Sequence, residues 1–373
     1  MLHKLYNRAM HLHGSGKTVV VLVILLVVLG LAALSSAGVV EGQKKFGSPY
    51  YFLKHQLIYG VLPGLLLFWM LSKINYKIWK KLALPLLLLT AGLMVLVFVP
   101  GFGVAVKGAQ RWLNFGSFTF QPSEFLKLAV IMYLAAWFSG RDNRSMAHWA
   151  YSVVPFLLVL TFVGFLLILQ PDIKTLVLIT LISAAVYFFA GAKISHILIL
   201  FVILVLIVIF LSFVEPYRWN RVKAFFNPAI DRQGVSYHIN QALLGIGSGG
   251  VFGLGYGQSK QKINYLPEPI GDSIFAILVE EMGFVGGLLV LSLFVFLVLT
   301  MVKIAKNVSD QFGRLLVLGV AVWLAAQTFI NVGAILGLIP LTGVPLPFFS
   351  YGSSSLVALC IALGMAVSVS RHV

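Results

Sequence analysis

Apolar residues fall in long runs separated by short polar segments, and the runs have the length of a membrane crossing. Ten can be drawn, at 18–37, 52–71, 82–99, 124–140, 152–169, 175–190, 194–213, 273–301, 315–338 and 349–370. A helix of about 18 or more apolar residues spans a hydrocarbon layer ~30 Å thick. The second run is interrupted early by Lys54 and His55, and two of the shorter ones flank "QPDIKT". The first ends in "SSA" (35–37), a tolerable signal-peptidase site, but its apolar stretch is longer than a signal peptide's and favours an uncleaved span. The pattern predicts an all-α integral membrane protein of about ten transmembrane helices. Residues 1–373 form a single polytopic domain, and a large extracytoplasmic loop, 214–272, joins spans 7 and 8.

Composition agrees. The chain is 60% hydrophobic and 10% charged, with a mean hydropathy of +0.99. Its one cysteine, Cys360, excludes an internal disulfide and a cysteine-built metal site. The net charge of +16 is spread among short loops, so anionic lipid or a phosphorylated lipid substrate is expected as partner rather than nucleic acid. About half of the 27 basic residues lie on the side that holds both termini. The short-loop bias puts that side in the cytoplasm. The remaining cations crowd the opposite face, where they suit an anionic ligand.

Three glycine-rich stretches are decoys. "GSGKT" at 14–18 has His11 where a phosphate-binding loop needs its first glycine, and a span follows directly. "GLGYG" at 253–257 lacks the paired pore helices of a potassium filter. "GIGSGG" at 245–250 is expected to end a short helix, without the strand-to-helix setting of a dinucleotide site.

Charges near or inside the spans carry the candidate chemistry. In "RWLNFGSFTFQPSEFLKLA", Glu124 and Lys127 are three apart on one helical face and can pair. Glu124 fits a helix start equally well, whereas Lys127 is deep enough to need a partner or a wet cavity. Arg111 could join them around a phosphate. Asp172 of "QPDIKT" can cap the sixth helix. The loop 214–272 supplies Arg218, Arg221 and Lys223 in an expected interfacial helix, then Lys260 and Lys262. These make either a basic lid on anionic lipid or a vestibule for a diphosphate headgroup.

"NYLPEPIGDSIFAILVEEMG", residues 264–283, holds four of the 11 acidic residues. Asp272 follows Pro267, Pro269 and Gly271 and is expected at the start of span 8. Glu280 lies about 12 Å deeper, and with Glu281 is expected to tie helices together. Asp272 alone is placed both at a helix terminus and next to the basic loop, which makes it the best positioned general base.

Four blocks, in order, resemble the SEDS family (shape, elongation, division and sporulation) of FtsW and RodA: "GAQRWLNFGSFTFQPSEFLKLA", "QPDIKT", "HINQALLGIGSGGVFGLGYGQSKQKINYLPEPIGDSIFAILVEEMGFVG" and "NVGAILGLIPLTGVPLPFFSYGSSSLVA". "QPSEFLKLA" and "YLPEPIGDSIFA" are slightly closer to FtsW. Lys174 stands where the family usually has glycine, and Ser353 replaces the second glycine after Ser350 and Tyr351. The resemblance implies a GT-C-like fold and a peptidoglycan glycosyltransferase that polymerises lipid II in division or elongation, inverting the donor and releasing undecaprenyl diphosphate. It further implies Asp272 as the essential aspartate, Arg111, Glu124 and Lys127 as family site residues, and a class B penicillin-binding protein as partner. No cofactor is required, although magnesium or manganese on the diphosphate is compatible with the chemistry. The rival expectations are a lipid II flippase and a scaffold without catalysis.

Overall fold

The computed structural model describes residues 14–106, 109–116, 118–141, 149–199, 235–263 and 265–372, with isolated positions between 202 and 226. The helices are α1 (Gly14–Ala37), α2 (Val39–Phe46), α3 (Tyr51–Lys73), α4 (Lys77–Leu96), α5 (Pro122–Phe138), α6 (Trp149–Leu169), α7 (Ile173–Phe189), α8 (Val235–Ser248), α9 (Ile274–Asn307), α10 (Gln311–Ile335) and α11 (Ser353–Ser370). Six of these, α1, α3, α4, α9, α10 and α11, are long and apolar enough to cross a membrane, and α5, α6 and α7 occupy three further predicted spans. The seventh predicted span lies mostly outside the described residues, as do Arg218 and Arg221.

Burial divides the helices. On α10 and α11 most residues are buried, which makes these two the centre of the bundle. On α1, α3, α4 and α9 one face packs inward while residues such as Val21, Leu62, Leu88 and Phe284 stay exposed. That is the arrangement of helices whose outer faces meet lipid. The main packing pairs are α11 on the second half of α3, α4 on α5, α9 on α10 and α1 on α9. "GSGKT" simply forms the first turn of α1.

Three features depart from an all-helical reading. Residues of the loop before α5 form a small antiparallel sheet, β1 (Gly103–Val106), β2 (Ala109–Asn114) and β3 (Thr119–Phe120), in the order β1-β2-β3. Alternation along β2 sets Arg111 and the buried Leu113 on one face. Second, α3 contains a π-helical turn, Leu57–Val61, just after His55 and Gln56. Third, α9 breaks at Gly283, whose φ of 71° and ψ of −175° are not helical.

The break in α9 is filled by the glycine-rich loop that follows α8. Leu254 and Gly255 donate their N–H groups to the carbonyls of Glu280 and Glu281, at 3.0 Å each. In return Phe284 and Val285 donate to Gly250 and Val251, at 2.9 and 3.1 Å. Backbone groups freed by the break are therefore satisfied inside the protein, as a low-dielectric setting demands. The approach requires glycine: a Cβ on Gly253, itself at φ 84°, would sit 2.2 Å from the Glu281 carbonyl oxygen. "GLGYG" thus serves close contact between two backbones rather than ion coordination.

The side chains beneath this junction form a closed knot. Glu281 accepts from Lys262 Nζ (2.8 Å), Ser36 Oγ (2.6 Å) and the Ser259 N–H (3.3 Å). Glu280 accepts from Ser259 Oγ (2.5 Å) and from the N–H groups of Lys260 (2.9 Å) and Gln261 (3.4 Å). Lys262 also donates to Ser36 Oγ and the Gly257 carbonyl, so all three of its N–H bonds are committed. The two glutamates join helices and loop, as expected of them.

Candidate active site

Asp272 sits in a turn pinned from two sides, by the 350–351 segment and by α10. Successive carbonyls are each tied to another element: Ile270 O to the Tyr351 N–H (2.8 Å), Gly271 O to Ser350 Oγ (2.6 Å) and Asp272 O to Asn331 Nδ2 (2.8 Å). The N-cap of α9 is Ser273, so Asp272 stands just ahead of the helix instead of capping it. Ser273 Oγ donates to Pro267 O (2.8 Å) and lies 2.5 Å from His238 Nε2. Its single proton is on the carbonyl, so the imidazole must donate through Nε2–H. This contact fastens α8 to the turn. Glu268 and Phe348, in the two loops that meet here, hold φ of 50° and 65°, an uncommon conformation for non-glycine residues that surrounding bonds must impose.

Lys127 and Glu124 lie on the first two turns of α5 and form a buried ion pair of 2.7 Å. Lys127 Nζ also reaches Gln327 Oε1 (3.3 Å) and sits 4.7 Å from the centre of the Trp323 ring. Gln327 takes a second bond from Trp323 Nε1 (2.7 Å) and donates to Pro345 O (2.9 Å). One helical turn on, Asn331 donates to Val344 O (2.8 Å) as well as to Asp272 O. The 344–345 segment therefore links the aspartate's turn to the lysine–glutamate pair. A narrow open cleft, with room for about one water (about 10 Å³), lies beside the lysine–glutamate pair, lined by Glu124, Lys127, Lys174, Thr175, Gln327 and Pro345 among others.

Two expected anion ligands are placed differently. Arg111 does not join Lys127. Its Nε and Nη2 bind the carbonyls of Gln170 (2.8 Å) and Pro171 (2.5 Å), and Nη1 lies 3.9 Å from Asp172 Oδ1. It braces the "QPDIKT" turn, where Asp172 caps α7 and accepts from Thr175 Oγ1 (2.9 Å) and Ser123 Oγ (3.3 Å). Lys262 is corrected from vestibule cation to the buried partner of Glu281, since no N–H remains for a substrate. Lys260 is exposed, as is Lys223 beside Trp219. Among the described residues no three histidine, cysteine or acidic side chains gather as a metal site.

Comparison with known proteins decides the ancestry of this arrangement. Residues 17–373 match the family described as cell cycle protein, FtsW, RodA and SpoVE. Stage V sporulation protein E of Bacillus subtilis is 38% identical over 95% of this chain and 96% of its own length. The chain belongs to the FtsW/RodA/SpoVE family. A probable peptidoglycan glycosyltransferase FtsW from Geobacter sp. strain M18 is 36% identical, covering 96% of this chain and 97% of its own. Among solved structures, RodA of Thermus thermophilus superposes with a TM-score of 0.69 at 29% identity, over 95% of both chains. A chain from a structure described as "Structural coordination of polymerization and crosslinking by a peptidoglycan synthase complex" gives 0.79 at 28%, over 97% of this chain and 98% of that one.

In this FtsW/RodA/SpoVE fold, several site residues lie outside the charged set that the sequence singles out. Gln327 and Asn331 are four apart on one face of α10, His238 is on α8, and Ser350 lies just before α11. Gln56, in the second span, accepts from the Gly352 N–H (3.2 Å) and Ser353 Oγ (3.5 Å). The usable signal was uncharged: amides spaced by one turn within an apolar helix, where each must find a partner.

Proposed function

We propose that this chain is a peptidoglycan glycosyltransferase that polymerises lipid II at the outer face of the cytoplasmic membrane, with Asp272 as general base. The observation that carries this reading is the turn itself. Three consecutive carbonyls anchor the backbone at Asp272, and Asn331 links that turn to Val344, which lines the cleft of Lys127 and Lys174. A base held in place before substrate arrives needs little reorganisation during reaction.

In this scheme Asp272 takes the proton from a sugar hydroxyl of the acceptor lipid II. The freed oxygen attacks the anomeric carbon of the donor glycan and displaces undecaprenyl diphosphate with inversion. Charge developing on the leaving diphosphate is met by Lys127, held by Glu124, and by the loop cations Lys223 and Lys260, with Arg218 and Arg221. Arg111 acts through the "QPDIKT" turn it braces. A divalent cation, magnesium or manganese, would travel on the diphosphate, and every step assigned here belongs to the protein's own side chains. Both termini are cytoplasmic in this reading, and the partner is a class B penicillin-binding protein that crosslinks the strand in division or elongation.

A lipid II flippase is less well supported. It needs charges along a path that opens alternately, whereas Glu280, Glu281 and Lys262 are locked into a loop–helix junction. The decisive experiment is polymerisation of lipid II by purified Asp272→Asn protein, alone and with its transpeptidase. Loss of a general base lowers turnover by about 10²- to 10⁴-fold, with thermal unfolding and partner binding preserved. Normal glycan synthesis by the variant would sink the assignment, and inactive wild-type protein with its partner present would favour the scaffold.

A further inference from the structure

Lys174 is the charge that the reaction scheme above leaves unused. It occupies the second position of α7, immediately after Asp172 and Ile173. A cation in a first turn faces the positive end of the helix dipole, so helix stability does not account for it. Its ammonium makes one hydrogen bond among the described residues, to the Gly343 carbonyl at 3.1 Å. Among the described residues no carboxylate lies within ion-pair distance of it.

The charges of the cleft and of the adjoining turn are already matched. Lys127 is paired with Glu124, and Asp172 with Arg111, Thr175 and Ser123. That leaves Lys174 as one surplus positive charge, half-buried, with two N–H bonds directed away from its carbonyl partner. A half-buried ammonium without a counterion is costly to keep and is relieved by an incoming anion. Val344 lines the same cleft, and its carbonyl shares Asn331 with the Asp272 carbonyl. The open mouth of the cleft at Lys174 is therefore linked to the Asp272 turn through Val344 and Asn331.

We infer that Lys174 is an added anchor for a phosphate oxygen of the lipid-linked diphosphate. The inference rests on the glycosyltransferase reading and adds a binding contact to it. It makes no bond and breaks none; it holds the diphosphate of a substrate or leaving group beside Lys127.

The test uses full-length protein in phosphatidylcholine nanodiscs titrated with geranylgeranyl diphosphate. Lys174→Gln is expected to weaken binding about tenfold, the scale of one charge-assisted hydrogen bond, while Lys174→Arg stays near wild type. Should the glutamine variant melt early, Lys174→Gly takes its place with the same expected loss. In polymerisation assays the Lys174→Gln defect falls more on KM for lipid II than on kcat. Displacement of the probe by inorganic pyrophosphate assigns the contact to the diphosphate group alone, and its absence assigns it to the prenyl-linked form. Wild-type affinity in Lys174→Gln, an arginine variant as weak as glutamine, or equal competition by phosphatidylglycerol would each overturn the inference. The two readings fail separately. A wild type that binds the probe through Lys174 without polymerising lipid II loses only the activity, whereas polymerisation with a Lys174-indifferent site loses only the anchor.

Discussion

Two clusters of charge lie in the body of this protein, and they are built to opposite ends. At the α9 break, Lys262, Glu280 and Glu281 satisfy one another, with every lysine N–H taken. Around Asp272 the backbone is held just as firmly, but Lys174 keeps donors in reserve. The first cluster joins a loop to a helix; the second presents charge to a cleft. The knot is buried whereas Lys174 is half-buried, and satisfied hydrogen-bonding capacity goes with depth in separating a structural ion from one presented to a ligand.

The sharpest way to break that comparison is to strip a partner from the closed knot. Glu281→Ala leaves Lys262 buried without its carboxylate, which costs about 3–5 kcal/mol. Thermal unfolding in detergent should show a large fall. The double change Glu281→Leu with Lys262→Met should recover most of it, because neither charge is then buried alone. If the double variant is as unstable as the single one, the ion pair is not what holds the loop to α9.

A smaller effect is expected where the two regions differ most, at the tether of the Asp272 turn. Asn331→Leu removes the bonds to Asp272 O and Val344 O together. With Asp272 as the proposed base, a displacement by about 1 Å is enough to lower turnover on the order of 10²-fold. The loss should fall on kcat with KM for lipid II little changed, opposite to the split expected for Lys174→Gln. Equal losses in both parameters would mean that Asn331 only supports folding.

Much of this was legible beforehand, and the reason is chemical. Apolar run length located nine described helices to within a few residues, because a membrane fixes the length of what crosses it. Asp272 was legible because a carboxylate beside Pro267, Pro269 and Gly271 has to stand at the head of a span. The fate of Lys262 was not, since its partner Ser36 lies on α1, far away in sequence. Nor was the sheet that carries Arg111, whose strands are short and broken by a bulge between Val104 and Ala105. Asn331 and Gln327 went unmarked because neither is charged, yet each links segments distant along the chain.

The mildest change probes whether the turn is held by backbone or by side chains. Tyr351 Oη pairs with His55 Nδ1 at 3.0 Å, and its ring meets Phe52 edge-on at 5.0 Å. The contact that anchors Ile270 comes from the Tyr351 main-chain N–H, which phenylalanine retains. Tyr351→Phe should therefore cost only about 0.5–1.5 kcal/mol, the net worth of one hydrogen bond. Polymerisation should fall by less than about threefold, under 1 kcal/mol of barrier. Burial, helped by nearby Tyr51, pushes the Tyr351 phenol up to about 12. The folded state thus holds this proton more tightly than the unfolded chain. Its contribution is complete below the ordinary value of 10.0 and drains away as pH rises through about 12. Unfolding followed across that interval should fall less steeply in the phenylalanine variant than in the wild type. A large loss of polymerisation despite preserved stability would show instead that the phenol, through His55 on α3, helps to set the position of the turn.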